Sequence, residues 1–177
     1  MTSTPPSMGE TVARAIDRRE RRDAQRRWMR FAVLAVLVLA LDQASKAVIR
    51  ATLEPRERID VLPGFQISRV ANEGIAFGLF PGRQAIVAVL TVVALCAIAV
   101  ALAGLVARNA TVAAGAGLLV GGSLGNLIDR LTLGAVVDFI DFARWPAFNV
   151  ADCAITVGAA LIVIGLMRDA EEDEETG

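Results

Sequence analysis

The stretch FAVLAVLVLALDQASKAVIR, residues 31–50, decides the fold. Its first part, FAVLAVLVLAL, carries no charge. A helix of about 20 residues rises about 1.5 Å per residue and covers the roughly 30 Å of hydrocarbon in a bilayer. The same stretch then places Asp42, Gln43, Ser45 and Lys46 within that length. Ionisable groups in a membrane segment are costly and point to function. The stretch therefore reads as a membrane helix that carries polar machinery.

Three further apolar runs follow, over residues 85–107, 110–128 and 151–167. With 55% hydrophobic residues and a mean hydropathy of +0.54, the chain does not read as a soluble domain. The fold class is an all-α membrane protein with four transmembrane helices. The third run is rich in Gly and Ala, which suits close helix packing in lipid.

Residues 1–30 form an extension with arginines at 14, 18, 19, 21, 22, 26, 27 and 30. The first dozen are expected to be disordered and the rest to lie on anionic lipid or in solvent. This bias puts the N-terminus in the cytoplasm, and four spans return the C-terminus there. Residues 168–177 form an acidic tail, AEEDEE at its centre, expected to be disordered. The connections 51–84 and 129–150 then face outward. RIDVLPGFQISRV, residues 58–70, alternates around Pro63-Gly64 and reads as a hairpin, and VVDFIDF, residues 136–142, reads as a further strand. A small extracytoplasmic β element is expected.

The polar residues share one depth. Counted from Phe31, Asp42 lies about 16 Å and Lys46 about 22 Å along the first span. Counted from Ala110, Asn126 lies about 24 Å and Asp129 about 28 Å along the third. Asn149 and Asp152 stand at the outer mouth of the fourth. Asp42 and Lys46, four residues apart, face the same way and pair. Their reading as a structural ion pair stands beside any functional one. Arg130 either snorkels to the interface or neutralises a carboxylate. Gly121, Gly122 and Gly125 admit a close neighbour, whether a helix or a substrate backbone.

The chain has no histidine, which removes Ser-His-Asp and Cys-His catalysis. Cys96 and Cys153 read as packing residues, and no metal site is spaced for. Asp138 and Asp152 lie 14 residues apart, one in a loop and one at a helix mouth, and could meet across a small site. Two carboxylates sharing such a site do not both ionise easily, which supplies a base and an acid at neutral pH. Residue spacing alone leaves a second reading open, in which Asn149 caps the fourth helix and Asp152 favours its dipole. It also leaves open an ion-coupled carrier built on Asp42, Lys46 and Asp129, and a scaffold without catalysis.

Five motifs favour the enzyme. They are Asp42-Gln43-Ala44-Ser45-Lys46, Asn72-Glu73-Gly74-Ile75-Ala76-Phe77, Gly125-Asn126-Leu127-Ile128-Asp129-Arg130, Val136-Val137-Asp138-Phe139 and Phe148-Asn149-Val150-Ala151-Asp152. In this order, over residues 31–167, the chain resembles the bacterial lipoprotein signal peptidases, signal peptidase II. The resemblance implies a four-helix membrane aspartyl endopeptidase that cleaves diacylglyceryl-modified prolipoproteins just before the lipidated Cys. It implies Asp138 and Asp152 as the catalytic pair. Asn72, Gly74, Asn126, Arg130 and Asn149 match residues around the site, Asp42 and Lys46 the polar pair of the first helix, and Asp129 its motif's acid. No metal or organic cofactor and no nucleic acid is implied. The expected partners are prolipoprotein substrates and membrane lipids. The expected form is a monomer in the cytoplasmic (inner) membrane with its active site at the outer leaflet.

Overall fold

The computed structural model describes residues 7–73, 84–142 and 144–176. Eight elements follow in order: α1 (Met8–Thr52), β1 (Arg58–Leu62), β2 (Phe65–Asn72), α2 (Gln84–Arg108), α3 (Ala110–Leu133), β3 (Val136–Phe142), β4 (Trp145–Phe148) and α4 (Val150–Thr176). All four helices are long and apolar enough to cross a membrane.

The helices outrun the apolar runs at the chain ends. Where disorder is expected over the first dozen residues, α1 already begins at Met8. A reciprocal cap explains the start: the Glu10 amide donates to the Ser7 hydroxyl at 3.2 Å, and the Ser7 amide donates to the Glu10 carboxylate at 3.0 Å. At the other end α4 continues through Thr176, because the Ala and Glu that follow the apolar run are strong helix formers. The turn between α2 and α3 is a single residue, Asn109, whose side-chain oxygen accepts from the Thr111 and Val112 amides.

Helix α3 is central and packs against each of the other three, most extensively α4 and then α1. Glycines permit the approach. A Cβ on Gly121 would lie 2.5 Å from the Ala35 carbonyl oxygen of α1, and one on Gly122 would lie 2.5 Å from the Ala151 carbonyl oxygen of α4. A Cβ on Gly125 would meet the Asp42 carboxylate. The close neighbour these glycines admit is therefore another helix.

The four strands form one antiparallel sheet in chain order. The β1–β2 hairpin turns at Pro63-Gly64 with Gly64 at φ 80°, a backbone that suits glycine. β4 has no counterpart in the sequence reading, which places only the strand at 136–142 in the outward connection 129–150. A strand holding Pro146 lacks one ladder donor and survives only at an edge, where β4 lies. The sheet is seated on α1: Val137 and Phe139 of β3 bury against Ile49 and Leu53. Because side chains alternate along a strand, Asp138 turns to the opposite face. Cys96 and Cys153 are exposed on α2 and α4, so they do not pack in the interior as the sequence reading expects.

Candidate active site

Lys46 is the electrostatic centre of the helix bundle. It is fully buried, and so are Asp42 and Asp129. Its Nζ lies 2.9 Å from Asp42 Oδ2, 3.0 Å from Asp129 Oδ2 and 2.8 Å from Asn126 Oδ1. An ammonium has three donors, and all three are used. Each of the two acids also accepts from a backbone amide. Asp42 Oδ1 accepts from the Ala151 amide at 3.0 Å, so an acid of α1 serves the first turn of α4. Asp129 Oδ2 accepts from the Val137 amide at 3.1 Å, which fixes β3 to α3. The spacing-based pairing of Asp42 with Lys46 thus holds, and Asp129 completes a three-charge cluster.

Gln43 belongs to this cluster, although no role follows for it from the sequence. Its Nε2 lies 3.2 Å from Asp42 Oδ2, 3.1 Å from the Gly125 carbonyl and 3.1 Å from Asp129 Oδ1. Its place in the Asp42–Lys46 stretch was the available signal: an amide in an apolar span needs partners. Ser45 donates to the Asp42 carbonyl at 2.8 Å and takes no part.

Two asparagines carry the cluster outward to Asp138 and Asp152. Asn126 Oδ1 accepts from Lys46, which turns its Nδ2 toward Asp152 Oδ1 at 2.8 Å. Asn149, just before α4, is a reciprocal cap. The Asp152 amide donates to Asn149 Oδ1 at 3.0 Å, and the Asn149 amide donates to Asp152 Oδ2 at 3.2 Å. The capping reading of Asn149 is therefore correct, and it does not exclude the other. The free end of the same side chain, Nδ2, donates to Asp138 Oδ1 at 2.7 Å and to Asn126 Oδ1 at 3.1 Å. From β2, Asn72 Nδ2 donates to Asp138 Oδ2 at 2.9 Å. Both carboxylates are thus held on both oxygens, and one residue, Asn149, holds the two together.

Asp138, Asp152, Asn72, Asn126 and Arg130 line a cavity of about 300 Å³. Its other wall is β4, from Trp145 to Phe148, with Ile155 and Thr156 of α4. These wall residues escape the sequence reading because β4 itself does. Arg130 NH1 approaches the Asn126 carbonyl at 3.4 Å, so the guanidinium stands at the cavity and does not reach away from it. Gly74 lies outside the described residues.

The Asp138 carboxyl is pushed up to about 7 from an ordinary 3.8. Burial is the main cause, since it disfavours the charged form, and the nearby Asp152 adds to it. The hydrogen bonds from Asn72 and Asn149 and the charge of Lys46 act in the opposite direction. A carboxyl poised near neutrality can both take and return a proton.

Four long apolar helices with a polar cavity where they meet a sheet define a membrane enzyme. Two solved structures described as bacterial membrane enzymes share the fold, with TM-scores of 0.70 and 0.66 at 32% and 33% identity. They match over 80% and 78% of this chain and over 90% and 93% of their own lengths. The family of Signal peptidase (SPase) II matches residues 34–168. A lipoprotein signal peptidase of Pelotomaculum thermopropionicum is 40% identical over 146 residues, covering 82% of this chain and 95% of its own. One of Moorella thermoacetica is 41% identical over 145 residues, covering 81% and 97%. The chain belongs to the signal peptidase II family, an aspartic-type peptidase family.

Proposed function

We propose that the chain removes signal peptides from diacylglyceryl-modified prolipoproteins, with Asp138 and Asp152 activating the water that cleaves just before the lipidated Cys. The observation that carries this reading is the pair of carboxylates on one 300 Å³ cavity, each held on both oxygens and joined through Asn149. One carboxylate takes a proton from water as the water oxygen attacks the scissile carbonyl. The other, protonated, donates to the carbonyl oxygen; as the resulting diol collapses, the first returns its proton to the leaving amine and the second takes one back from a diol hydroxyl, so the pair ends with one proton as it began. Asn72 and Arg130 are the polar groups best placed to hold the peptide or its developing oxyanion. The Lys46 cluster positions Asn126 and the start of α4 and does not itself react.

The reading extends to placement. The protein spans the cytoplasmic (inner) membrane with both termini in the cytoplasm, and the sheet and cavity lie at the outer leaflet. The arginines at residues 14–30 support this orientation. The lipid anchor of the substrate stays in the bilayer while its peptide enters the cavity from the side. The enzyme works as a monomer, since one chain supplies both carboxylates and the described donors that hold them. The test is cleavage of one lipidated precursor by purified wild type, Asp138→Asn and Asp152→Asn. Each variant is expected to lose at least about a thousandfold in turnover, the scale of removing a member of a catalytic set, while keeping its helical content. Wild-type turnover in either variant rules out the pair.

A further inference from the structure

On the far face of the sheet, away from Asp138, lies a second and larger cleft of about 580 Å³. Four arginines line it: Arg50 at the end of α1, Arg56 and Arg58 before and on β1, and Arg69 on β2. Glu73 is the one acid on its lining. Its apolar side is formed by Leu133, Ala135 and Val137, where α3 ends and β3 begins. We propose that this cleft binds the phosphate of an anionic phospholipid headgroup from the leaflet next to the sheet.

The arginines are not consumed by the fold. Arg69 is the exception: its NH1 donates to the Leu53 carbonyl at 2.8 Å and the Arg50 carbonyl at 3.3 Å, closing the end of α1. Arg50 NH1 is buried and has no hydrogen-bond partner. Arg50 also lines the cleft, and with no acid paired to it among the described residues its charge is left for an anion there. Arg58 reaches Asp141 only at 3.9 Å, with its side chain 62% exposed. The acids of the same loop are turned elsewhere: Glu57 accepts from the Glu54 amide and Asp60 from Gln66.

The position favours a lipid over a peptide. The cleft sits where two membrane helices end, and Leu133 on its lining is an apolar side chain 49% exposed. Acyl chains can follow that surface while the headgroup rests among the arginines. On the orientation proposed above, these arginines lie on the translocated side, where the topology rule disfavours them. A headgroup site gives them a reason to be there.

Native mass spectrometry of the full chain tests this, with phosphatidylglycerol and phosphatidylcholine of identical acyl chains offered at equal concentration. Wild type is expected to retain one phosphatidylglycerol in preference to phosphatidylcholine. Each arginine near an anionic surface is worth about fivefold in affinity. Arg58→Gln, at an exposed position that spares the fold, should therefore lose about fivefold, and Arg50→Gln with Arg58→Gln about 25-fold. Asp152→Asn should retain the lipid as wild type does, so a failure of the peptidase reading leaves this result intact. Equal retention of both lipids, or undiminished retention in the double variant, overturns the proposal. So does displacement of phosphatidylglycerol by equimolar inorganic phosphate or by an acidic peptide.

Discussion

At the scale of single residues, the informative contrast is between Lys46 and Asp138. Both are buried, but every donor of Lys46 meets an acceptor in the protein, whereas Asp138 borders a cavity. A saturated buried cluster is a brace, because it has no open position for an ion or substrate. That disfavours a carrier built on Asp42, Lys46 and Asp129. Asp138 is one of the two residues proposed to react, and its carboxyl near 7 makes two outcomes measurable. The hydrogen bond from Asn72 favours the charged form, so losing it raises the carboxyl further. In Asn72→Ala, the inflection of kcat/KM near pH 7 is expected to move to higher pH; a shift to lower pH contradicts the assignment. The second outcome concerns stability. Burial raises the folded carboxyl above its unfolded value, so between about pH 4 and pH 7 the native state binds more protons than the unfolded state. Wild type should therefore lose stability through that window, by at most about 1.4 kcal/mol per pH unit, and level off above it. Asp138→Asn lacks this titration. Its thermal midpoint relative to wild type should rise from pH 5 to pH 7 and then stay level, and a difference independent of pH contradicts the burial argument.

At the scale of elements, α4 begins on a residue with two duties. Asn149 caps the helix through its oxygen and holds Asp138 and Asn126 through its nitrogen. The duties separate by substitution. Asn149→Ser keeps an oxygen for the Asp152 amide and loses the donor to Asp138. Asn149→Ala loses both, and a lost cap alone costs about 1 kcal/mol. The serine variant is expected to unfold close to wild type yet cleave poorly, with its pH inflection raised. The alanine variant should show both defects, and thermal denaturation alongside cleavage of a lipidated precursor reads the two. If serine restores cleavage, the nitrogen has no role at Asp138. The elements also show what a sequence discloses. The hairpin at Pro63-Gly64 and the strand at 136–142 are legible because turn chemistry and alternation are local. β4 is not, because WPAF becomes a strand only by lying on the edge that β3 offers. Gln43 is legible only as an amide that needs partners, since those on α3 are 82 and 86 residues away.

At the scale of the molecule, the chain sorts its polar chemistry to one end. α1 leads into the sheet, α3 ends at β3 and α4 begins after β4, so the cavity, the Lys46 cluster and the arginine cleft lie together. The start of α1, the end of α4 and the Asn109 turn lie at the other end. Hydropathy made this division legible, and the depth count made Asp42, Lys46, Asn126 and Asp129 legible as a group. What it could not supply was the pairing, since Asp138 and Asp152 meet only through Asn149 and the packing of glycine faces. One long element has no precedent in the apolar runs. A 45-residue helix is about 68 Å long, roughly twice the hydrocarbon thickness. With residues 31–50 in the bilayer, the part before Phe31 stands out of it, and Arg27 NH1 donates to the Ala107 carbonyl beside the α2–α3 turn at 2.8 Å. On the proposed orientation the two ends of the molecule face opposite sides of the membrane, with the arginines before Phe31 in the cytoplasm. With Cys96 and Cys153 replaced by Ala, Leu62→Cys on the hairpin, 64% exposed, should react with a membrane-impermeant maleimide in intact cells. Ala15→Cys on the exposed start of α1 should react only after permeabilisation. The reverse pattern would put the sheet, and with it the proposed cleavage, in the cytoplasm. Labelling of both in intact cells would break the four-span topology itself.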